Sequence, residues 1–534
     1  MKTTIKNLIL SAVLVVGGAS CVDLDTAPYD REMDLTYWEE DPEAAVKALN
    51  TCYTYLGNMD EQLYCEAMTD NAYTKQPNDF TQNIGNGSYS TADSYVKQVW
   101  DGRYTGIRMC NQLLENIDRV PDLDPELKKR YIGEAKVLRA YSYYELYTKF
   151  GDIPYTTKVL SIKESMSIAR TAKATVIANV LADLDEVING NYLPTSYDAD
   201  NKGRITRWAA MAIKAKIYLF EGNWTQVKNI TSTIMTEGGF KLFGSYAGLF
   251  EIANEYNSEV ILDAQYRPTS REHQMMYVFL PPTLGGYSQL SPLQELVDSY
   301  IMLDGKTIKE TGTSFDESHP YANRDPRLKA TVMYTGNSYT LADGTEVVIN
   351  CEKGEGKDGY GVGSDCSATG YYIKKYWDNT YRATLYSGLN PILIRYADIL
   401  LMNAEALAEL GELDKTAWDA TIKPIRDRAG FTLASALEFP EGASKDKLIE
   451  IVRNERRSEL ALEGHRHKDI IRWRIADNVL NGWCHGLKTN DVVGTDDGYV
   501  RVENRTFNAN KHYLWPIPQA ERDLNGNLEQ NPNW

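Results

Sequence analysis

Residues 393–430, LIRYADILLMNAEALAELGELDKTAWDATIKPIRDRAG, constrain the fold more than any other stretch of this chain. Apolar side chains recur at Leu393, Ala397, Leu400, Leu401, Ala404 and Ala408, the i, i+4, i+7, i+8 spacing of one helical face. Gly411 follows the run and supplies the left-handed residue that ends a helix. A second helical pattern runs from near Lys415 to Gly430. Two helices joined this closely predict an antiparallel hairpin, and the small Ala404 and Ala408 let its limbs approach.

The same register occurs twice upstream. Leu138-Arg139-Ala140 precedes Tyr143 and Tyr144, Ile213-Lys214-Ala215 precedes Tyr218 and Leu219, and Met402-Asn403-Ala404 precedes Leu407 and Ala408. Gly151, Gly222 and Gly411 close the three helices. The fold class this predicts is mainly α: tetratricopeptide-like helical hairpins as a scaffold, long loop insertions, and a few short β-strands. The copies lie roughly 75 and 189 residues apart, so long insertions separate them, and insertions on such scaffolds usually carry function.

Between these landmarks, helices are expected at 41–58, 92–119, 127–150, 171–188, 206–220, 224–237, 293–301 and 445–474. Short strands are expected at 259–265, 331–334, 346–350 and 371–376. Residues 59–91 read as one long loop of turn formers interleaved with Tyr64, Tyr73, Phe80 and Tyr89.

The N-terminus sets the compartment. Lys2 and Lys6 form a positive start, residues 8–16 are apolar, and Gly17-Gly18-Ala19-Ser20 supplies small residues before Cys21. That is a secretory signal over residues 1–20, too short to span a bilayer. A cysteine directly after the small residues resembles a bacterial lipobox, which makes Cys21 the lipidated first residue of the mature chain. The other six cysteines allow up to three disulfides in an exported protein, and Cys351 with Cys366, flanking a glycine-rich loop, is the favoured pair. A net charge of −17 argues against a nucleic-acid footprint.

Several separated stretches together resemble the SusD/RagB family of surface glycan-binding lipoproteins of Bacteroidetes. They are Leu24-Asp25-Thr26-Ala27-Pro28 after the lipobox, Arg139-Ala140-Tyr141 leading to Phe150-Gly151-Asp152-Ile153-Pro154, and Ile394-Arg395-Tyr396-Ala397-Asp398 with Ala404-Glu405-Ala406. Ile425-Arg426-Asp427-Arg428-Ala429-Gly430 follows, then Glu455-Arg456-Arg457 through to Ile471-Arg472-Trp473. Trp515-Pro516-Ile517-Pro518 closes on Gln530-Asn531-Pro532-Asn533-Trp534. The resemblance implies a helical scaffold carrying a loop-built glycan face. It also implies a partner, a SusC-like TonB-dependent transporter of the outer membrane. Two regions are expected, 21–250 and 251–534, the second holding the hairpin at 393–430, both within one structural unit.

No catalytic constellation stands out. The charged run from Glu455 to Arg474 reads as a structural ion-pair network, since catalysis would need a carboxylate pair isolated in a cleft. His465 and His467 lie two apart and diverge on a helix, a poor metal pair, and there is no CxxC, no HExxH and no nucleophile elbow. Gly354-Glu355-Gly356-Lys357-Asp358-Gly359 matches GxGxxG, but no helix follows it, so dinucleotide binding is excluded. No cofactor is expected.

Sugar rings need flat aromatic platforms beside polar hydrogen-bonding groups. The 36 tyrosines exceed the 11 phenylalanines, which favours recognition over packing alone. Candidate platforms are Tyr73, Phe80, Tyr89, Tyr287, Tyr360 and Trp377. Asn78, Asp79 and Arg103 are candidate polar contacts. The expected activity is non-catalytic capture of oligosaccharide. Peptide capture on the same fold, a glycoside hydrolase and a protein-binding helical adaptor are the alternatives.

Overall fold

Gly411 adopts φ 74° and its N–H reaches the carbonyls of Leu407 and Ala408, ending the helix Tyr396–Leu410 as the apolar pattern requires. The computed structural model describes residues 36–75, 80–381 and 383–534. The returning limb of the hairpin is two helices, Lys415–Ala420 and Ile422–Ala429, where the sequence pattern predicts one. The break falls at Thr421, with φ −125° and ψ −69°. Pro424 explains it: a proline lacks the N–H and crowds the carbonyl four residues back, so the helix restarts just ahead of it. Gly430 closes the limb at φ 102°. Ala397, Leu400, Leu401, Ala404 and Ala408 pack on Trp418, Ile422 and Ile425. Ile399, Met402 and Ala406, on the other face, join the main core.

That main core is a stack of helices: Ala44–Tyr53, Ser94–Asn116, Pro125–Phe150, Lys173–Asn189, Arg207–Phe220 and Trp224–Glu237. Pro125–Phe150 is wedged among its neighbours and buried on all sides from Val137 onward. Its buried charges are therefore paired, Lys149 with Glu145 at 2.7 Å and Arg139 with Asp183 at 2.5 Å. Gly151 and Gly222 take φ 72° and 69° after two of these helices, as the repeated register predicts.

A second core lies under the insertions and joins Met59, Leu63 and Ala72 to Phe279, Leu290, Tyr300, Tyr372 and Ile392. Residues 59–91 accordingly do not form the single long loop expected. They contain the helix Met59–Tyr64, capped by the Asn58 side chain, a 3-10 turn Cys65–Met68, the strand Ala72–Thr74 and the helix Phe80–Asn86. The turn formers mark element ends, while Met59, Leu63, Ala67 and Ala72 supply enough apolar surface to bury the segment.

The strands are short and antiparallel. Val260–Asp263 pairs with Ile392–Arg395, Val332–Met333 with Tyr372–Ile373, and Ser338–Thr340 with Glu346–Val348. A three-stranded sheet, Thr495–Asp496, Tyr499–Arg505 and Gly482–Lys488 in spatial order, forms where no strand was expected.

The helix expected over 445–474 is also two, Lys445–Glu459 and Arg466–Arg472. Leu462 at φ 62° and Gly464 at φ 78° turn the chain between them. This corner delivers the expected ion-pair network. Arg327, Lys375, Arg395, Arg426 and Arg428 meet Glu259, Asp325, Glu455, Glu459 and Glu463, all at most 6% exposed. Among the described residues the six cysteines are free thiols, which corrects the favoured Cys351–Cys366 disulfide. The Cys366 thiol is instead turned onto the Lys357 carbonyl at 3.3 Å.

Candidate functional site

The 3-10 turn Pro282–Leu284 ends at Gly285, with φ 88°, and Gly286 follows. A Cβ on Gly286 would sit 2.1 Å from the Leu280 carbonyl oxygen, so only glycine lets the chain fold back here. The reversal places the Tyr287 N–H on the Tyr277 carbonyl at 2.8 Å. The Tyr287 ring then stacks on Tyr277, centroids 5.8 Å apart and planes 14° apart, while remaining 47% exposed. Tyr386, 38% exposed, meets Tyr277 edge-on at 6.3 Å, and its hydroxyl accepts from Gln274 Nε2 at 2.7 Å.

Two other insertions are clamped to this turn. The Thr283 N–H and hydroxyl both donate to the Asp358 carboxylate, at 2.8 and 2.6 Å, two residues before Tyr360. Tyr360 is half-buried against the second core. Strand Ala72–Thr74 pairs with Leu290–Pro292, Tyr73 opposite Ser291. The Lys75 N–H donates to the Gln289 carbonyl at 2.9 Å, and its ammonium to the carbonyls of Ser364 and Cys366 at 2.5 and 2.7 Å. The segments carrying Tyr73, Tyr287 and Tyr360 are thus bound to one another. Tyr73 is half-buried, its hydroxyl accepts from Gln82 at 3.4 Å, and burial raises its phenol pKa.

The remaining candidates fall elsewhere. Tyr89 is 4% exposed, packed between His512 and Trp534, and presents no face to a ligand. Trp377 is half-buried on the Ser338–Thr340 hairpin, edge-on to Tyr339, with its indole N–H spent on the Thr340 carbonyl at 3.0 Å. Arg103 is buried: its guanidinium donates to the Tyr55 carbonyl at 2.8 Å and pairs with Glu61. It walls a cavity of about 430 Å³ shared with Tyr55, Tyr64 and Tyr95. Tyr64 links that cavity to the Tyr287 turn by donating to Gln289 Oε1 at 3.3 Å. Asn78, Asp79 and Cys21 lie outside the described residues, as does the Phe80 side chain.

Two family models match the chain. Residues 36–219 match one described as starch-binding associating with outer membrane, and residues 249–534, more than half the chain, match the SusD family. The chain belongs to the SusD family. A SusD-like protein of Formosa agariphila is 27% identical over 514 residues, covering 89% of this chain and 91% of that protein. The crystal structure of a SusD-like carbohydrate binding protein from Bacteroides fragilis superposes with a TM-score of 0.81 at 28% identity, over 92% of this chain and 100% of that one. A laminarin binding SusD-like protein shares the fold, with a TM-score of 0.68 at 24% identity, 92% of this chain and 99% of the other.

Within this SusD-like fold the helical stack is the base, and the aromatic surface rests on the second core. Sequence reasoning singles out Tyr287 as a candidate and does not name Tyr277, Tyr386 or Gln274, which the structure places beside it. Tyr277 sits in the five-residue helix Met275–Phe279, too short for a periodic signal, and Tyr386 follows a stretch without pattern. No helix among the described residues is long and apolar enough to cross a membrane.

Proposed function

We propose that this chain is a non-catalytic glycan-binding protein, lipid-anchored through Cys21 at the outer membrane. It captures oligosaccharide and passes it to a SusC-like TonB-dependent transporter. The observation that carries the reading is the exposed Tyr287 ring stacked on Tyr277 with Tyr386 at its edge. A pyranose lays its C–H face on such a ring, and a ring already held by its neighbours loses little freedom on binding. Tyr73 and Tyr360, on segments clamped to the same turn, are proposed to extend the surface, and Gln274 and Gln82 to offer polar contacts beside it. The SusD-like carbohydrate binding protein from Bacteroides fragilis, which shares this fold, supports the ligand class.

Calorimetric titration of the soluble chain, begun at Val22, against a polysaccharide panel tests this, with reducing-sugar release followed in the same tubes. Binding of one glycan class without cleavage is expected. Tyr287→Ala is expected to weaken it by at least about tenfold, roughly the 1.4 kcal/mol of one stacking contact, with an unchanged urea midpoint. Sugar release, or peptide binding in place of glycan binding, overturns the reading.

A further inference from the structure

Among this chain's ten tryptophans, Trp483 alone is exposed, at 43%. It lies on strand Gly482–Lys488, opposite Asn504, and walls a cavity of about 430 Å³. The opposite wall comes from helix Gln294–Ser299, the end of helix Lys445–Glu459 and residues 307–309. None of these elements carries the Tyr277–Tyr287–Tyr386 surface.

The ring has a charged neighbour. The Arg501 guanidinium sits 5.6 Å from the Trp483 ring centroid. Arg501 Nε donates to Asp496 Oδ1 at 2.9 Å, Asp496 Oδ2 contacts His485 Nε2 at 3.0 Å, and His485 Nδ1 contacts Glu295 Oε1 at 2.8 Å. Arg501 thus lies against the indole, and the same indole lines the cavity. The cavity's polar atoms have spare capacity among the described residues. Asn454 donates its amide to the Ser299 carbonyl, leaving Oδ1. Asp298 accepts from Gln294 on Oδ1, leaving Oδ2. Arg457 spends Nε on Asn71 and Nη2 on Asp70, leaving Nη1.

A flat indole beside two unspent acceptors and an unspent guanidinium donor suits a ring with an apolar face and equatorial hydroxyls. Hydroxyls of such a ring can donate to Asp298 Oδ2 and Asn454 Oδ1 and accept from Arg457 Nη1. We infer that the Trp483 cavity is a second saccharide-binding site, for a neutral sugar residue, separate from the tyrosine surface. The class of ligand rests on the glycan reading above; the site does not depend on Tyr287.

The test uses the soluble chain, its Tyr287→Ala form, and Trp483→Ala and Trp483→Tyr variants, titrated with the same glycan panel by calorimetry and by tryptophan emission with acrylamide quenching. Trp483 is the exposed indole, so its emission reports on this cavity. In Tyr287→Ala, a panel glycan is expected to change the emission and cut acrylamide quenching at least about twofold. Trp483→Ala abolishes that response, and Trp483→Tyr restores calorimetric binding at the cavity. Loss of all binding in Tyr287→Ala, with emission unmoved by any panel glycan, overturns the second site while leaving the tyrosine surface intact. Glycan binding that needs Trp483 and is indifferent to Tyr287 overturns the tyrosine reading alone. No response from any protein to any panel glycan overturns both.

Discussion

Arg395 grips Glu463 with both edges of its guanidinium, Nε to Oε2 and Nη2 to Oε1, each at 2.7 Å, and both side chains are 1% exposed. Arg395 ends strand Ile392–Arg395 and precedes helix Tyr396–Leu410. Glu463 lies in the corner between helices Lys445–Glu459 and Arg466–Arg472. The pair therefore joins the hairpin to the charged corner, and Arg395 Nη1 adds Glu259 and Glu459 at 2.7 and 2.6 Å. Burial opposes ionisation of Glu463, and the charges of Arg395 and Lys375 outweigh it and hold the carboxyl below its ordinary range.

Arg395→Met is expected to cost about 3–5 kcal/mol of unfolding free energy, because it takes one buried cation from Glu259, Glu459 and Glu463 together and leaves Lys375, Arg327 and Arg428 to hold them. Arg395→Lys keeps the charge but loses the planar fork, and falls between that variant and the parent. Urea denaturation reads both. Midpoints indistinguishable from the parent would show that the network adds no stability.

Gly286→Ala is expected to weaken glycan capture without unfolding the chain. The added methyl meets the Leu280 carbonyl oxygen at 2.1 Å, so the turn must open and carry Tyr287 off Tyr277. Gly285→Ala meets only Leu385 at 3.5 Å but is strained by φ 88°, a cost of about 1 kcal/mol. Calorimetry on the two variants should separate them, with the larger affinity loss, about tenfold, in Gly286→Ala. Equal affinities would detach the turn from the binding surface.

The scaffold was legible because it depends on local patterns. Ala404 and Ala408 with Gly411 specify a helix, a close approach and a stop within one stretch, and the structure follows them. Pro424 and Gly464 also stand in the sequence, yet the patterns run on across both: the apolar spacing continues from Ile422 to Ile425 past Pro424, and charges at i, i+3 and i, i+4 spacing continue from Glu455 to Arg472 past Gly464. Of the candidate site the sequence singles out Tyr287, where the double glycine marks the turn, and Tyr73 and Tyr360 on the segments clamped to it. Its partners Tyr277 and Tyr386 come together through a long-range fold, and spacing carries no record of that. Tyr89 shows the converse: an aromatic among turn formers looks exposed in one dimension, but the C-terminal Trp534 covers it.

The thiols make a separate prediction. Cys351 and Cys366 are buried, and Cys366 is occupied with the Lys357 carbonyl. Unfolded in guanidinium without reductant, the soluble chain should release six titratable thiols to Ellman's reagent. In the native state reaction should be slow, since only Cys65 is not fully buried and burial raises its thiol pKa. A count of four would mean that one disulfide forms.

His273 gives a pH dependence of definite sign. It is buried beneath the tyrosine surface, Nε2 3.2 Å from the Leu389 carbonyl, with Nδ1 accepting from the Met275 N–H at 3.4 Å. Burial pushes its pKa down from 6.5 to about 4, against a smaller opposing pull from Leu389. Between those values the unfolded chain takes up a proton and the folded chain does not. The contribution is therefore complete above pH 6.5 and is lost as pH falls towards 4, to a limit of about 3 kcal/mol. Glu66 works the other way: burial raises its carboxyl from 4.5 to about 7, so its contribution is present below pH 4.5 and lost as pH rises through 7. The parent's profile thus mixes opposing slopes, and only a difference between variants isolates His273. His273→Gln, compared with the parent by urea unfolding from pH 4.5 to 7.5, should lose less stability on acidification. The backbone pairing of His273 with Ser387 ties that loss to the segment carrying Tyr386. Parallel profiles for the two proteins would mean that His273 titrates alike folded and unfolded.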